Sequence, residues 1–183
     1  MKSGTIGIDV GGTNIKAALV LGRKITKRSR IATLARSGAQ RTIQQIKSAI
    51  EPLQKKASSI GIGIAGIIDS QNGVVKYSPN LKGWNNIPLA KILHQEFHLP
   101  TRVLNDVDAI CLGEWKYGVA RGHDNVFLFT LGTGVGGAAI CEGKMLFGAN
   151  GFAGELGHTT INWKGAKCVC GHHGHLERYV GAK

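Results

Sequence analysis

Apolar and polar residues alternate with period two at the start of the chain. In "TIGIDV" (5–10) Ile6, Ile8 and Val10 share one face, and "IKAALVL" (15–21) continues the pattern after "GGTN". "GRK" turns into "ITKRSRIAT", so three antiparallel strands are expected. The period then changes. In "SGAQRTIQQIKSAIEPLQKKA", Ile43, Ile46, Ile50 and Leu53 recur at helical spacing, with Ser37 read as the N-cap. "SIGIGIAG" (59–66) reads as a buried strand, and "NIPLAKILHQEFHL" as an amphipathic helix entered through Pro88. "TRVLND" is a short strand, "DVDAICLGEWKYG" a third helix, and "NVFLFTLGTGVGGAAICEG" a β-hairpin with a Gly-rich bend. The order βββαβαβα followed by ββ predicts a mixed α/β lobe and the opening of a second one, with a division near residue 120 (1–120 and 121–183). The one internal repetition is the strand–Gly-loop–strand unit, at 5–21 and again at 126–141.

Composition narrows the class. No run approaches the roughly 20 apolar residues of a membrane span, and "MKSGTIGIDVGG" lacks the apolar stretch and cleavage site of a signal peptide. A cytoplasmic protein without a membrane partner is expected. Charge is uneven: residues 1–60 hold twelve Lys/Arg against two acids, and the remainder carries only +2 of the +12 total. A nucleic-acid surface is one reading of this excess. A solvated face that favours anionic ligands is the other, and the absence of interleaved aromatics argues for it. Cys111 and Cys141 stand in apolar surroundings and read as buried packing residues, and no disulfide framework is expected.

The candidate chemistry lies where strands end. In "IDVGGTNIK", Asp9 closes a strand, and Gly11, Gly12 and Thr13 leave N–H groups and a hydroxyl to face an anion. Asp9 is placed to hold a magnesium ion. An ordinary Gly-Gly hairpin is the alternative. "TLGTGVGGA" contains G-x-G-x-x-G, but it leads into a strand rather than a helix, so a dinucleotide fold is excluded. No P-loop is present either. Two phosphate-type hairpins remain. Between them, Asn105 and Asp106 in "VLNDVDA" stand at a strand end. Asp106 suits a general base accepting a proton from an alcohol that attacks a phosphoryl group, with Asn105 orienting the alcohol. Alternatively, Asp106 is simply a helix N-cap.

Together, "DVGGT" (9–13), "GIAGIID" (63–69), "SPNLKGW" (78–84), "LNDVDA" (104–109), "LGTGVGGA" (131–138), "GELGH" (154–158) and "CVCGHHGHLE" (168–177) resemble the ROK family of sugar kinases, which also contains transcriptional repressors. The resemblance covers nearly the whole chain. It implies an actin-like, ribonuclease-H-like ATPase fold with two lobes around a cleft. It also implies ATP with Mg²⁺, phosphates held by Gly11, Gly12, Thr13, Gly132, Thr133, Gly134, Gly136 and Gly137, and a sugar site of Asn80, Asn105, Asp106, Glu155, His158 and Glu177. Its pattern near the end, C-x-C-G-x-x-G-C-x-E preceded by a histidine, implies a structural Zn²⁺ on His158, Cys168 and Cys170, with His175 standing where the family has cysteine. Imidazole is a sound zinc ligand, so Cys₂His₂ remains chemically coherent, with His172 and His173 as spare donors.

By the same resemblance, the substrate is a hexose phosphorylated at its primary hydroxyl. "SPNLKGWNNIPL" tilts the reading to glucose over mannose, N-acetylglucosamine, fructose or allose, with ATP or polyphosphate as donor. A repressor or a non-catalytic sugar-binding protein is the alternative. A repressor's winged helix would precede the first strand, which here begins at residue 5, so nucleic acid is not expected as a partner. Family members run on past "LERYVGAK" and are commonly dimers or tetramers, so a truncated large lobe and a homo-oligomer are the expectations.

Overall fold

The computed structural model describes residues 4–182. It divides into two compact units, one ending at Ala109 and one beginning at Ile110, so the division falls inside a helix and ahead of residue 120. Each unit is described separately.

The first unit is built on a five-stranded sheet in the order β3-β2-β1-β4-β8. β1 (Gly4–Val10), β2 (Asn14–Leu21) and β3 (Lys24–Ala32) form the antiparallel meander that the alternation predicts. β4 (Ala57–Ile64) pairs parallel to β1, and β8 (Thr101–Asn105) parallel to β4. Ile6, Ile8 and Val10 are buried on one face of β1, with Ile15, Ala17 and Leu19 beside them on β2. Against that face lie Ile46, Ala49 and Ile50 of α1 (Ala39–Ile50), and the same core takes in Leu89 and Leu93 of α2 (Leu89–Phe97). β3 is almost wholly exposed and lies at the sheet edge. Much of the basic excess sits there, where lysines and arginines discourage pairing with another chain.

Four details depart from the sequence reading. Ser37 is not the N-cap of α1; it ends a 3-10 turn (Ala35–Ser37), and Gly38, at φ 91°, takes the cap position. Only glycine adopts that conformation without strain. The helix does not continue to residue 57, because Pro52 has no N–H to donate and Glu51–Lys56 tightens into a 3-10 turn. A three-stranded sheet, β5 (Ile67–Asp69), β6 (Val74–Tyr77) and β7 (Asn85–Ile87), occupies a stretch assigned no element and takes Asn86 and Ile87 from the start of the expected second helix, which begins only at Leu89. Its strands are three or four residues long, too short to show a period. Cys141 is exposed at the end of a strand rather than packed in a core, whereas Cys111 is fully buried.

The second unit holds a three-stranded sheet, β9 (Val126–Leu131), β10 (Val135–Cys141) and β11 (Lys144–Met145), in the order β11-β10-β9. A 3-10 turn (Leu156–His158) and a four-residue helix, α4 (Glu177–Val180), follow. α3 (Asp106–Tyr117) spans the division. No helix among the described residues is long and apolar enough to cross a membrane.

Candidate functional site

In the first unit, the turn between β1 and β2 closes on itself. Gly11 N–H donates to Asn14 O at 3.1 Å, and the Thr33 hydroxyl donates to Gly11 O at 2.6 Å. The N–H groups of Gly12 and Thr13 keep no partner among the described residues, the arrangement an anion needs. Asp9 is exposed and meets Lys16 Nζ at 3.4 Å, a solvated pair that leaves the carboxylate accessible to a cation.

Asn105 ends β8 and Asp106 begins α3. The capping role falls to Asn105, whose Oδ1 accepts from the N–H groups of Val107 at 2.8 Å and Asp108 at 3.4 Å. Asp106 Oδ1 accepts from Val107 N–H at 3.1 Å. Burial pushes the Asp106 carboxyl above the usual aspartate range, against hydrogen bonds that pull it down, and the charge of Asp9 adds to the rise. Such a carboxylate is a better proton acceptor than a solvated one. α3 lies close on β4 because Gly63 has no side chain: a Cβ there would stand 3.3 Å from Ala109 Cβ and 3.4 Å from Asp106 Cα.

The other end of the Asn105 amide fixes the neighbouring loop. Its Nδ2 donates to Gly66 O at 3.1 Å. Gly66 has φ 132°, and a Cβ there would lie 2.2 Å from Tyr77 O and 2.9 Å from Ser78 Cα. The backbone that bonds Asn105 therefore also backs the segment leading to Asn80, which is exposed and makes no hydrogen bond given by the described residues.

In the second unit, Gly132 N–H bonds Gly134 O at 3.0 Å, and the N–H groups of Thr133 and Gly134 are left over, as in the first turn. Gly136 and Gly137 do not belong to the turn; they pair with Thr130 and Phe129 inside the hairpin. Gly137 instead permits a close approach, since a Cβ there would meet Gly154 O at 2.6 Å, and one on Gly157 would meet Val135 O at 2.0 Å. These absent side chains bring the loop carrying Glu155 and His158 directly onto β10. Glu155 is exposed at the start of its 3-10 turn.

His158, Cys168, Cys170 and His175 converge, their donor atoms all within 4.8 Å of one another. His158 Nδ1 is 3.2 Å from His175 Nδ1, Cys168 Sγ is 3.7 Å from His158 Nδ1, and Cys170 Sγ is 3.3 Å from His175 Nδ1. A tetrahedral zinc with ordinary bond lengths requires N···N of about 3.3 Å and N···S of about 3.6 Å. The donor set fits the metal in kind, and these three spacings lie near the required values. His175 approaches through Nδ1, the ring nitrogen nearer its backbone, which brings imidazole towards a cysteine's reach. The residue is 5% exposed, and burial, with the adjoining His158 and His172, holds its pKa below the usual histidine value, favouring the neutral form a metal requires. His172 stacks on it at 5.8 Å, outside the cluster.

The family resemblance implies Glu177 among the sugar residues. Its Oε2 accepts from Val135 N–H at 3.1 Å, a contact across 42 positions that no local pattern signals.

These residues can be set beside known proteins. The ROK family pattern matches residues 5–183. The chain belongs to the ROK family. It is 38% identical to the glucokinase of Thermotoga maritima over 180 residues, covering 97% of this chain and 57% of that one. The ROK glucokinase of Streptomyces griseus, solved with glucose and AMPPNP, superimposes with a TM-score of 0.85 at 35% identity, over 98% of this chain and 57% of that one. A ROK transcriptional regulator, a homologue of the E. coli MLC protein, superimposes at 0.88 with 25% identity, over 99% of this chain and 47% of that one. The fold is therefore the actin-like ATPase fold of ROK proteins, and the chain spans about half the length of these relatives.

Proposed function

We propose that this ROK protein serves ATP-dependent phosphorylation of a hexose at its primary hydroxyl, with glucose as the substrate. The observation that carries the reading is Asp106. It sits at the C-terminal end of a parallel strand and is made more basic by burial, with the amide of Asn105 fixed beside it. Similarity to glucokinases supports the sugar class.

In this reading Asp106 accepts the proton of the sugar hydroxyl as its oxygen attacks the terminal phosphorus. The bond to the β-phosphate oxygen breaks, and ADP leaves. Asn105 holds the acceptor loop through Gly66. Asn80 in the first unit, and Glu155, His158 and Glu177 in the second, are each candidates for the donors and acceptors that a sugar's hydroxyls need. The N–H groups of Gly12, Thr13, Thr133 and Gly134 are the candidate phosphate donors. Asp9 would hold Mg²⁺, which neutralises phosphate charge. Zn²⁺ on His158, Cys168, Cys170 and His175 would be structural, since four protein ligands leave no open position. With Nδ1 turned to the cluster, His158 keeps Nε2 for a hydroxyl.

A regulatory role is the second reading, favoured by the likeness to the MLC homologue. Thermal unfolding against glucose, mannose, N-acetylglucosamine and fructose, with sugar-dependent ADP formation measured alongside, separates the two. Glucose at a hundredfold over its dissociation constant is expected to add about 2.7 kcal/mol. Asp106→Ala is expected to abolish ADP formation and largely spare the sugar-induced shift. Strong turnover by that variant overturns the base assignment. Because the chain spans about half of its relatives, turnover is read in the full-length protein, where a sugar-induced shift without ADP formation favours the regulator.

A further inference from the structure

The C-terminal segment grips the second glycine turn at both ends. Glu177 Oε2 takes the Val135 N–H immediately after the turn, and Ala182 N–H donates to Gly132 O at 2.7 Å at its start. The fit is close: a Cβ on Gly134 would stand 2.3 Å from Glu177 Oε2, and one on Gly181 would stand 3.0 Å from Thr133 O. The same segment grows out of the metal cluster. His175 O accepts from Arg178 N–H at 3.0 Å, and Leu176 N–H donates to Thr159 O, next to His158, at 2.9 Å. α4 is only four residues long. A helix that short has no stability of its own, so the place of Glu177 is set by its anchorages.

We propose that Glu177 is a positioning residue, holding the 132–135 turn in shape through the Val135 N–H and making that shape depend on metal at His158, Cys168, Cys170 and His175. The carboxylate takes up one N–H of the turn, and those of Thr133 and Gly134 keep no partner among the described residues. Oε1 stays available for a sugar hydroxyl, so one side chain joins metal loop, sugar and phosphate turn. The inference rests on the structural-metal reading above, but its test needs neither sugar nor turnover.

The readout is amide hydrogen exchange at Val135 in the 183-residue chain, zinc-loaded and then chelated, with Ala138 and Ile140 on the same strand as controls. Glu177→Ala is expected to speed exchange at Val135 roughly tenfold or more, the loss of one charge-assisted bond, without moving the controls. Glu177→Gln, which keeps an acceptor, restores most of the protection. Gly134→Ala serves as a second variant, because its φ is not positive and the added methyl displaces the carboxylate without altering Glu177; it is expected to behave like Glu177→Ala. Chelation accelerates exchange in the unmodified chain and adds nothing in Glu177→Ala, as coupled groups require. Unchanged exchange at Val135 in both variants overturns the proposal. So does chelation that accelerates Val135 equally with and without Glu177, which would show the metal acting by another route. Absence of zinc by elemental analysis removes the metal half of the proposal and the structural-zinc reading together, and leaves the sugar reading to its own assay.

Discussion

Stripping metal from the protein and restoring zinc is expected to shift its unfolding by an amount that can be worked out. Three of the donor spacings already stand near tetrahedral values, 3.2 Å between the imidazole nitrogens and 3.7 and 3.3 Å between sulfur and nitrogen, and all four donors lie within 4.8 Å of one another. Little reorganisation is needed, so most of the binding free energy appears as stability. Zinc at a hundredfold over its dissociation constant adds about 2.7 kcal/mol. A chain of this size gains about 2–4 °C per kcal/mol, so its unfolding as a whole should move roughly 5–11 °C higher. His175→Ala removes one ligand and is expected to cost more than the roughly 10–100-fold in affinity that loss of an outer-shell partner costs. At the same zinc concentration the gain falls to about 1.4 kcal/mol or less. His173→Ala, at an exposed position outside the cluster, should change nothing. The assay is calorimetry with elemental analysis, expecting about one zinc per chain. The reasoning fails if the purified protein holds no metal and zinc leaves its unfolding unmoved, or if His175→Ala keeps the full shift.

Two further outcomes follow from single residues. Gly66→Ala places a side chain at φ 132° against the Tyr77 carbonyl, and should cost about 3 kcal/mol in urea unfolding and weaken sugar binding through Asn105; a loss under about 0.5 kcal/mol would refute the packing argument. The Asp106 carboxyl is raised above 3.8, so the folded state binds the proton more tightly than the unfolded chain; stability should fall as pH rises from about that value through the raised pKa, and Asp106→Asn should flatten this slope, equal slopes in the two proteins refuting it.

Local order was legible because it is written locally. Period-two alternation in 5–21 marked β1 and β2, and the helical spacing of Ile43, Ile46 and Ile50 marked α1. The close spacing of Cys168, Cys170 and His175, with His158 upstream, pointed to a metal through the family pattern, and the structure brings those four donors together. Asn105 and Asp106 were visible as a polar pair at a strand end, but their division of labour was not. Either side chain can cap a helix, and only the geometry at β8 shows Asn105 capping while Asp106 is left to be shaped by burial and by Asp9.

What the tertiary structure alone decided depends on contacts between distant positions. β5, β6 and β7 exist because they pair with one another, not because three or four residues prefer the extended state. Cys111 and Cys141 sit in equally apolar surroundings, yet one is buried in a helix and the other exposed where β10 ends. The glycines at 66, 137 and 157 look like turn formers in sequence; folded, they mark places where one backbone presses on another. The bond from Val135 to Glu177 spans 42 positions, so nothing near either residue announces it. Periodicity, caps and ligand spacing are short-range and survive in the sequence, whereas burial, close approach and the partner of a given carboxylate arise only once the chain has returned on itself.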